Sequence, residues 1–547
     1  MRAFGRVRMT AAALAAGLLA AGFAVAGCSA GPPGASGASG TATPDSGGTH
    51  GPTAQAAAVT PLEPLPAAVA ATLAPYYGQQ LAWQPCDDGF ECTTFRVPMD
   101  YDRPGDGDLT LAAARAAAVP GGSSAAGSGA AEARIGSLLL NPGGPGGSAI
   151  EYLESAARTY DGGVRARYDL VGLDPRGVGR SSPVTCLSGE RMDAFTAVDL
   201  TPGDQQEIDA LVAADKEFAE GCRQHAGPAL GHLSTVEAAR DMDVLRALLG
   251  DERLNFVGES YGTFLGATYA GLFPARVGRL VLDGAMDPAL DSITGNRTQA
   301  GGFETAWSAF AKDCARREDC PLGRTEQQVG DQLTALLATV HERPLPSTDD
   351  GRRLTEAQAT TGVIQAMYAD FLWPDLRTAL ADAKAGDGTG LLKLSDAYYG
   401  READGTYPNL MFANTAVNCL DLPAPFGSPA DVQRAVPDFE RASPHFGRGM
   451  AWMALNCAYW PVRATGTAHT IRAAGAAPIV VIGTTRDPAT PYDWARSLAG
   501  QLESGRLLTY DGDGHTAYGR HSACVDGAVN RFLLTGEAPE QGRRCDR

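Results

Sequence analysis

The chain has 547 residues, 44% of them hydrophobic and 20% charged, enough apolar material for one large globular domain with an insertion. Its formal charge of -18, with no run of Lys or Arg, sets its surface against phosphate backbones. The 16 Tyr, 17 Phe and 6 Trp are scattered and form no stacking motif, so nucleic acid is not expected as a partner.

Arg2, Arg6 and Arg8 give the chain a basic start, and Met9 to Gly27 is an unbroken run of small and apolar residues. That pattern reads as a secretory signal. The run ends in Val25-Ala26-Gly27-Cys28, which resembles the bacterial lipobox, where cleavage leaves a cysteine that carries a diacylglycerol. The reading predicts a signal peptide over 1–27 and export to the outer face of the cell membrane, with a lipid anchor on Cys28. Acyl chains at one cysteine hold firmly, because each buried methylene contributes roughly 0.8 kcal/mol. The alternatives are a plain signal cut elsewhere or an N-terminal membrane helix. No later stretch reaches the length of an apolar membrane span.

Residues 28–58 are Gly, Ser, Thr, Pro and Ala with almost no large apolar side chain, the composition of a flexible tether. Pro120 to Ala131 is a similar patch and reads as a surface loop. Setting Cys28 aside leaves ten of the 11 cysteines, an even number in an oxidising compartment. Pairing sequence neighbours gives Cys86–Cys92, Cys186–Cys222, Cys314–Cys320, Cys419–Cys457 and Cys524–Cys545, one of many connectivities the count allows. There is no CxxC or HExxH arrangement, so neither a metal nor another cofactor is expected.

Beyond the tether, short apolar runs alternate with helical periodicity, the signature of a parallel sheet flanked by helices. Ser137 to Leu140 and Tyr168 to Leu173 read as buried strands. Val236, Ala239, Met242, Leu245 and Leu249 mark one helix face, and Gly250 ends it. Leu254 to Val257 follows as a strand and runs into Gly258-Glu259-Ser260-Tyr261-Gly262. A helical stretch from Thr263 to Phe273 comes next, terminated by Pro274.

Strand, GxSxG, then helix is the setting of a nucleophile elbow in an α/β-hydrolase fold. The tight turn leaves no room for side chains at Gly258 and Gly262, lifts Ser260 above the sheet edge, and puts the Tyr261 amide at a helix start where it can meet an oxyanion. A second donor is expected from Asn141-Pro142-Gly143-Gly144-Pro145-Gly146-Gly147, directly after the strand ending at Leu140. The Gly144 amide is the candidate there. This loop lacks the Lys and Ser/Thr of a phosphate-binding P-loop.

A serine needs a base held by an acid, and in this fold the chain order is Ser, acid, His. Pro478 to Gly483 reads as a strand leading to Asp487, at the carboxyl end where sites form in parallel sheets. A helix from Tyr492 to Leu502 and a strand from Arg506 to Tyr510 then lead to His515. Asp511 and Asp513 compete for the acid's role but read as loop solvation, and His521 reads as a surface residue.

Four ordered motifs carry a family resemblance: Asn141 to Ser148, Asp174 to Ser181, the run from Gly258 to Thr263, and Asp487 to His515. Together they resemble the secreted bacterial tripeptidyl aminopeptidases, relatives of prolyl iminopeptidases, over nearly everything from Thr60 onward. The resemblance implies an exopeptidase acting on peptides with a free amino terminus. In it Ser260, Asp487 and His515 form the triad, Gly144 and Tyr261 the oxyanion hole, and Asp174 and Arg176 fix loops beside the site. Prolyl iminopeptidases have His where this chain has Pro142 and Gly where it has Glu259, so proline specificity is not implied. Glu259 reads either as a charge at a helix start or as an acceptor for a substrate ammonium.

The stretch between Asp287 and Pro478 is too long for a loop and carries helical patterns at Val329 to Val340, Ala357 to Tyr368 and Leu376 to Ala385. It predicts a mainly helical cap over 288–477, set between core segments 59–287 and 478–547. The cap is expected to supply the anion for a peptide amino terminus, with Glu304 and Asp421 among the candidates. Two rivals stand beside the exopeptidase: a carboxylesterase or lipase with the same triad, and a non-catalytic peptide-binding lipoprotein.

Overall fold

The computed structural model describes residues 59–86, 89–119, 133–520 and 522–546. The signal 1–27, Cys28, the tether 28–58, the loop Pro120 to Ala131 and His521 lie outside them. Ten strands form the main sheet: β1 (Gln84–Pro85), β2 (Glu91–Pro98), β3 (Asp108–Ala116), β4 (Gly136–Asn141), β5 (Tyr168–Leu173), β6 (Leu254–Glu259), β7 (Val277–Asp283), β8 (Ile479–Arg486), β9 (Gly505–Asp513) and β10 (Arg543–Asp546). Their spatial order is β1-β2-β3-β5-β4-β6-β7-β8-β9-β10. The edge from β1 to β5 is antiparallel, and everything from β5 to β10 is parallel.

The parallel strands read as continuous apolar runs because both sheet faces are covered. Alternate side chains feed opposite faces. Leu139, Phe256 and Val481 enter one cluster, while Leu138, Leu140, Val257, Val480 and Ile482 enter another. From β4 the chain leaves to β5 on one side and later returns to β6 on the other. This is the switch point at which α/β sheets open a crevice at their carboxyl ends. The loops that follow β4 and β6 therefore lie side by side, and together with the strand order they define an α/β-hydrolase fold.

Most predicted elements differ from the observed ones by a residue or two. The helix predicted to start at Thr263 starts at Tyr261 and runs to Leu272. The strand predicted to stop at Gly483 continues to Arg486, because its pairing with β9 goes on through Thr484 and Arg486. All five disulfides join the predicted neighbours.

Between β7 and β8 the structure is mainly helical, with Ser292–Ala315, Glu326–Glu342, Glu356–Met367, Trp373–Lys384, Thr389–Tyr399, Leu410–Asp421, Pro429–Ala442 and Gly447–Met453. Phe303, Trp307, Phe310, Val363, Phe439 and Trp452 lie in a third apolar cluster. Helix Gln205–Ala226, which precedes the elbow, sends Ile208 and Leu211 into this cluster. Helix Leu410–Asp421 instead sends Phe412 and Leu420 into the first.

Candidate active site

Ser260 sits between β6 and helix Tyr261–Leu272 with φ 55° and ψ -122°. A non-glycine residue held there stores roughly 1–3 kcal/mol of strain. The turn is held from several sides. The Ser260 amide donates to the Asp283 carbonyl (2.9 Å). The Thr263 hydroxyl donates to the Ser260 carbonyl (2.6 Å) and accepts from the Met286 amide (2.9 Å). The flanking glycines are needed for space, since a Cβ on Gly258 would lie 2.4 Å from the Gly262 carbonyl oxygen, and one on Gly262 would lie 2.7 Å from that of Asn141.

The loop after β4 packs onto this turn. A Cβ on Gly143 would meet the Ser260 Cβ at 2.9 Å and the Tyr261 nitrogen at 3.0 Å. The Gly143 amide is taken by Asn141 Oδ1 (2.9 Å), which leaves Gly144, in the wall of the same cavity as Ser260, as the loop's candidate donor. Tyr261 opens its helix, where the first amides have no intrahelical acceptor. Its hydroxyl, pushed far above the ordinary tyrosine range by burial, pairs with Thr235 Oγ1 at 2.6 Å.

Asp487 follows β8 directly, is 2% exposed, and stands 2.8 Å through Oδ1 from His515 Nδ1. The amides of Ala489 (3.0 Å) and Thr490 (2.9 Å) donate to Oδ1, and that of Thr516 (3.3 Å) to Oδ2. The Thr490 hydroxyl, 3.4 Å from Nδ1, also lines the cavity. His515 packs closely on Gly284, just after β7, where a Cβ would lie 3.2 Å from His515 Cε1.

Ser260 opens into a cavity of about 340 Å³. Its walls include Leu211 and Phe218 from helix Gln205–Ala226 and Ile364, Tyr398 and Met450 from helices between β7 and β8. These helices are bonded directly to the site. The His515 amide donates to the Tyr368 carbonyl (2.8 Å), and the two rings meet edge to face with centroids 5.4 Å apart. Asn414 Nδ2 donates to the Pro145 carbonyl (3.1 Å). Asn409 accepts from the Gly179 amide (3.0 Å) and donates to the Gly177 carbonyl (2.7 Å). The roles of Tyr368, Asn409, Asn414 and Thr490 carry no local sequence signal, since each depends on contacts remote in the chain.

Asp511 and Asp513 do more than solvate a loop: Arg486 donates through Nη1 to Asp511 (2.9 Å) and through Nε to Asp513 (2.6 Å), pinning the strand end just before Asp487. Asp174 accepts from the Ser148 hydroxyl (2.8 Å) and the Arg180 amide (2.8 Å). Arg176 makes a buried two-point contact with Asp241, 2.7 Å at each end. Glu259 accepts from the Tyr152 hydroxyl (2.7 Å), Glu304 binds His445 and Ser443, and Asp421 binds Thr235; the cavity wall contains none of the three acids. Among the described residues, two groups bring possible metal ligands within 4.8 Å of one another: Asp100, His232 and Glu237, and Asp199, Glu207 and His341. Neither group borders the cavity.

A strand-to-helix serine, a buried Asp–His pair following β8 and β9 and a helical covering define a serine hydrolase of the α/β-hydrolase fold. Residues 443–545 match the family model described as TAP-like protein. "Serine protease Hip1" of Mycobacterium tuberculosis is 36% identical over 495 residues, 86% of this chain and 92% of that protein. "Carboxylesterase B" of the same organism is 36% identical over 491 residues, 86% and 91% of the two chains. "Tripeptidyl aminopeptidase" of Streptomyces lividans is 32% identical over 498 residues, 88% of each. The chain belongs to this tripeptidyl aminopeptidase-like family of serine hydrolases.

Proposed function

We propose that the protein is an exported serine exopeptidase that releases short peptides or single residues from free amino termini, with Ser260 as nucleophile, His515 as base and Asp487 as the acid that orients it. The observations that support this reading are that Ser260 and Gly144 line one cavity walled in part by helices between β7 and β8, and that His515 is held against Asp487 at 2.8 Å. With Nδ1 turned to Asp487, Nε2 is the nitrogen that takes the Oγ proton as Oγ adds to the substrate carbonyl. The Gly144 and Tyr261 amides then stabilise the oxyanion. His515 returns the proton to the departing amine, and water releases the acyl group from Ser260 by the same steps.

On this reading residues 288–477 are a cap between core segments 59–287 and 478–547, and they limit access to chain ends. The names of the Streptomyces and Hip1 relatives support a peptide substrate. Comparing kcat/KM on an aminoacyl or tripeptidyl anilide with its N-acetylated form tests this. Strong loss on acetylation is the expected result. Indifference would favour an esterase or endopeptidase, as the name of the third relative suggests.

Export and anchoring rest on the run ending at Cys28; among the described residues no helix is long and apolar enough to cross a membrane. Metabolic labelling with a palmitate analogue is expected to mark the wild type and miss Cys28→Ala. Equal labelling of both would refute the lipid anchor.

A further inference from the structure

Among the described residues the cavity wall contains three acids, Asp215, Asp287 and Asp291, and no Lys or Arg. A cavity of that charge selects for a cation over an anion. The three acids are not equivalent. Asp287 Oδ1 already accepts from the Gln501 side-chain amide (2.7 Å) and the Ala289 amide (3.0 Å). Asp291 is exposed and caps its own helix through the Thr294 amide (2.7 Å).

Asp215 is different. It lies in helix Gln205–Ala226, is 5% exposed, and its Oδ2 is buried without a hydrogen-bond partner. Leaving a buried carboxylate oxygen bare is costly, and native structures rarely retain one without a use. Burial pushes its carboxyl up to about 7. The next residue, Lys216, turns its ammonium over the Tyr459 ring (5.1 Å). The helix is fixed by the Cys186–Cys222 disulfide and by stacking of Phe218 on Phe195 at 4.8 Å. The stretch of helix that carries the carboxyl is therefore held in place.

We infer that Asp215 is the acceptor for the α-ammonium group of the substrate, which supplies the charge and the N–H donors that this cavity-lining carboxyl lacks. This rests on the exopeptidase reading and locates its specificity residue. The anion comes from the helix that precedes the elbow, and not from 288–477, where the sequence led us to expect it. A primary ammonium brings both the compensating charge and the donors that Oδ2 lacks.

The test measures kcat and KM for a free-amine peptidyl anilide and its N-acetyl form in wild type, Asp215→Asn, Asp215→Glu and Asp287→Asn. Asp215→Asn is expected to lower kcat/KM on the free amine by about 30-fold or more. The loss should appear mainly in KM and abolish the preference over the acetylated form. Asp215→Glu should restore part of that preference, and Asp287→Asn should change it far less. Asp215→Asn keeping the wild-type preference, or losing both substrates equally, would overturn the assignment. A wild type indifferent to acetylation would instead sink the exopeptidase reading. In that case, competition by a simple alkylammonium ion against hydrolysis of a neutral ester still reads the same carboxylate, and equal inhibition of wild type and Asp215→Asn would overturn it.

Discussion

On the sheet side of the site, Asp487 accepts from the amides of Ala489, Thr490 and Thr516 as well as meeting His515, whereas on the wall formed by helix Gln205–Ala226 Asp215 keeps one oxygen bare. Both side chains are buried, at 2% and 5% exposure, so the contrast lies in partners and not in depth. A group saturated before substrate arrives is preorganised: it holds an imidazole in one orientation and needs no rearrangement as charge develops. A group left unsatisfied is poised for an incoming charge and gains only when that charge binds. On the proposed function, the sheet side serves the chemical step and the helical side chooses what reaches it.

The largest effect should come from the elbow. Ser260→Ala is expected to reduce kcat on the order of 10⁶-fold while leaving a folded, secreted protein. Measurable turnover by the purified variant beyond a trace would break the assignment. Asp487→Asn keeps the volume but offers an amide where an acceptor is required, so the imidazole loses its orientation, and kcat should fall about 10⁴-fold. If the loss appeared in KM instead, the sheet side would be serving binding and the contrast with Asp215 would collapse.

A third prediction concerns stability and pH. Burial pushes the Asp421 carboxyl up to about 7 despite donation from Thr235. In the unfolded chain it returns to about 3.9. Between roughly pH 4 and 7 the folded state thus binds a proton that the unfolded state does not, so this group favours folding most in acid and loses that contribution as pH rises through the window. Asp421→Asn removes the titration, and urea midpoints measured from pH 4 to 7 should slope less downward than those of the wild type. Parallel profiles would contradict the burial argument.

The smallest effect should come from Asp513→Asn. Arg486 is one-third exposed, so this ion pair is worth roughly 1 kcal/mol or less. Activity should stay within a few-fold of wild type, measured alongside Asp487→Asn. Loss of turnover here with Asp487→Asn active would move the acid to position 513.

What could be read from the sequence follows from how local each cause is. Gly258, Gly262 and Pro274 punctuate the elbow because sterics within a few residues demand them, and Asp487 and His515 end strands whose apolar runs are unmistakable. The disulfides join near neighbours and were accessible for the same reason. Asp215 was not legible. On its helix it is one acid among several, and only the packing of distant helices decides that its carboxyl lines a cavity with one oxygen unpartnered. Arg486 was missed likewise, since its partners face it only once β8 and β9 pair past Thr484.

The central claim, that Ser260 is the nucleophile of an intact triad, is tested most directly by treating the purified enzyme with a fluorophosphonate and mapping the adduct by peptide mass spectrometry. A single phosphonyl group on the peptide containing Ser260, formed at a rate that falls sharply in Asp487→Asn, is the predicted result. An unmodified Ser260, or an adduct on another residue, would contradict it.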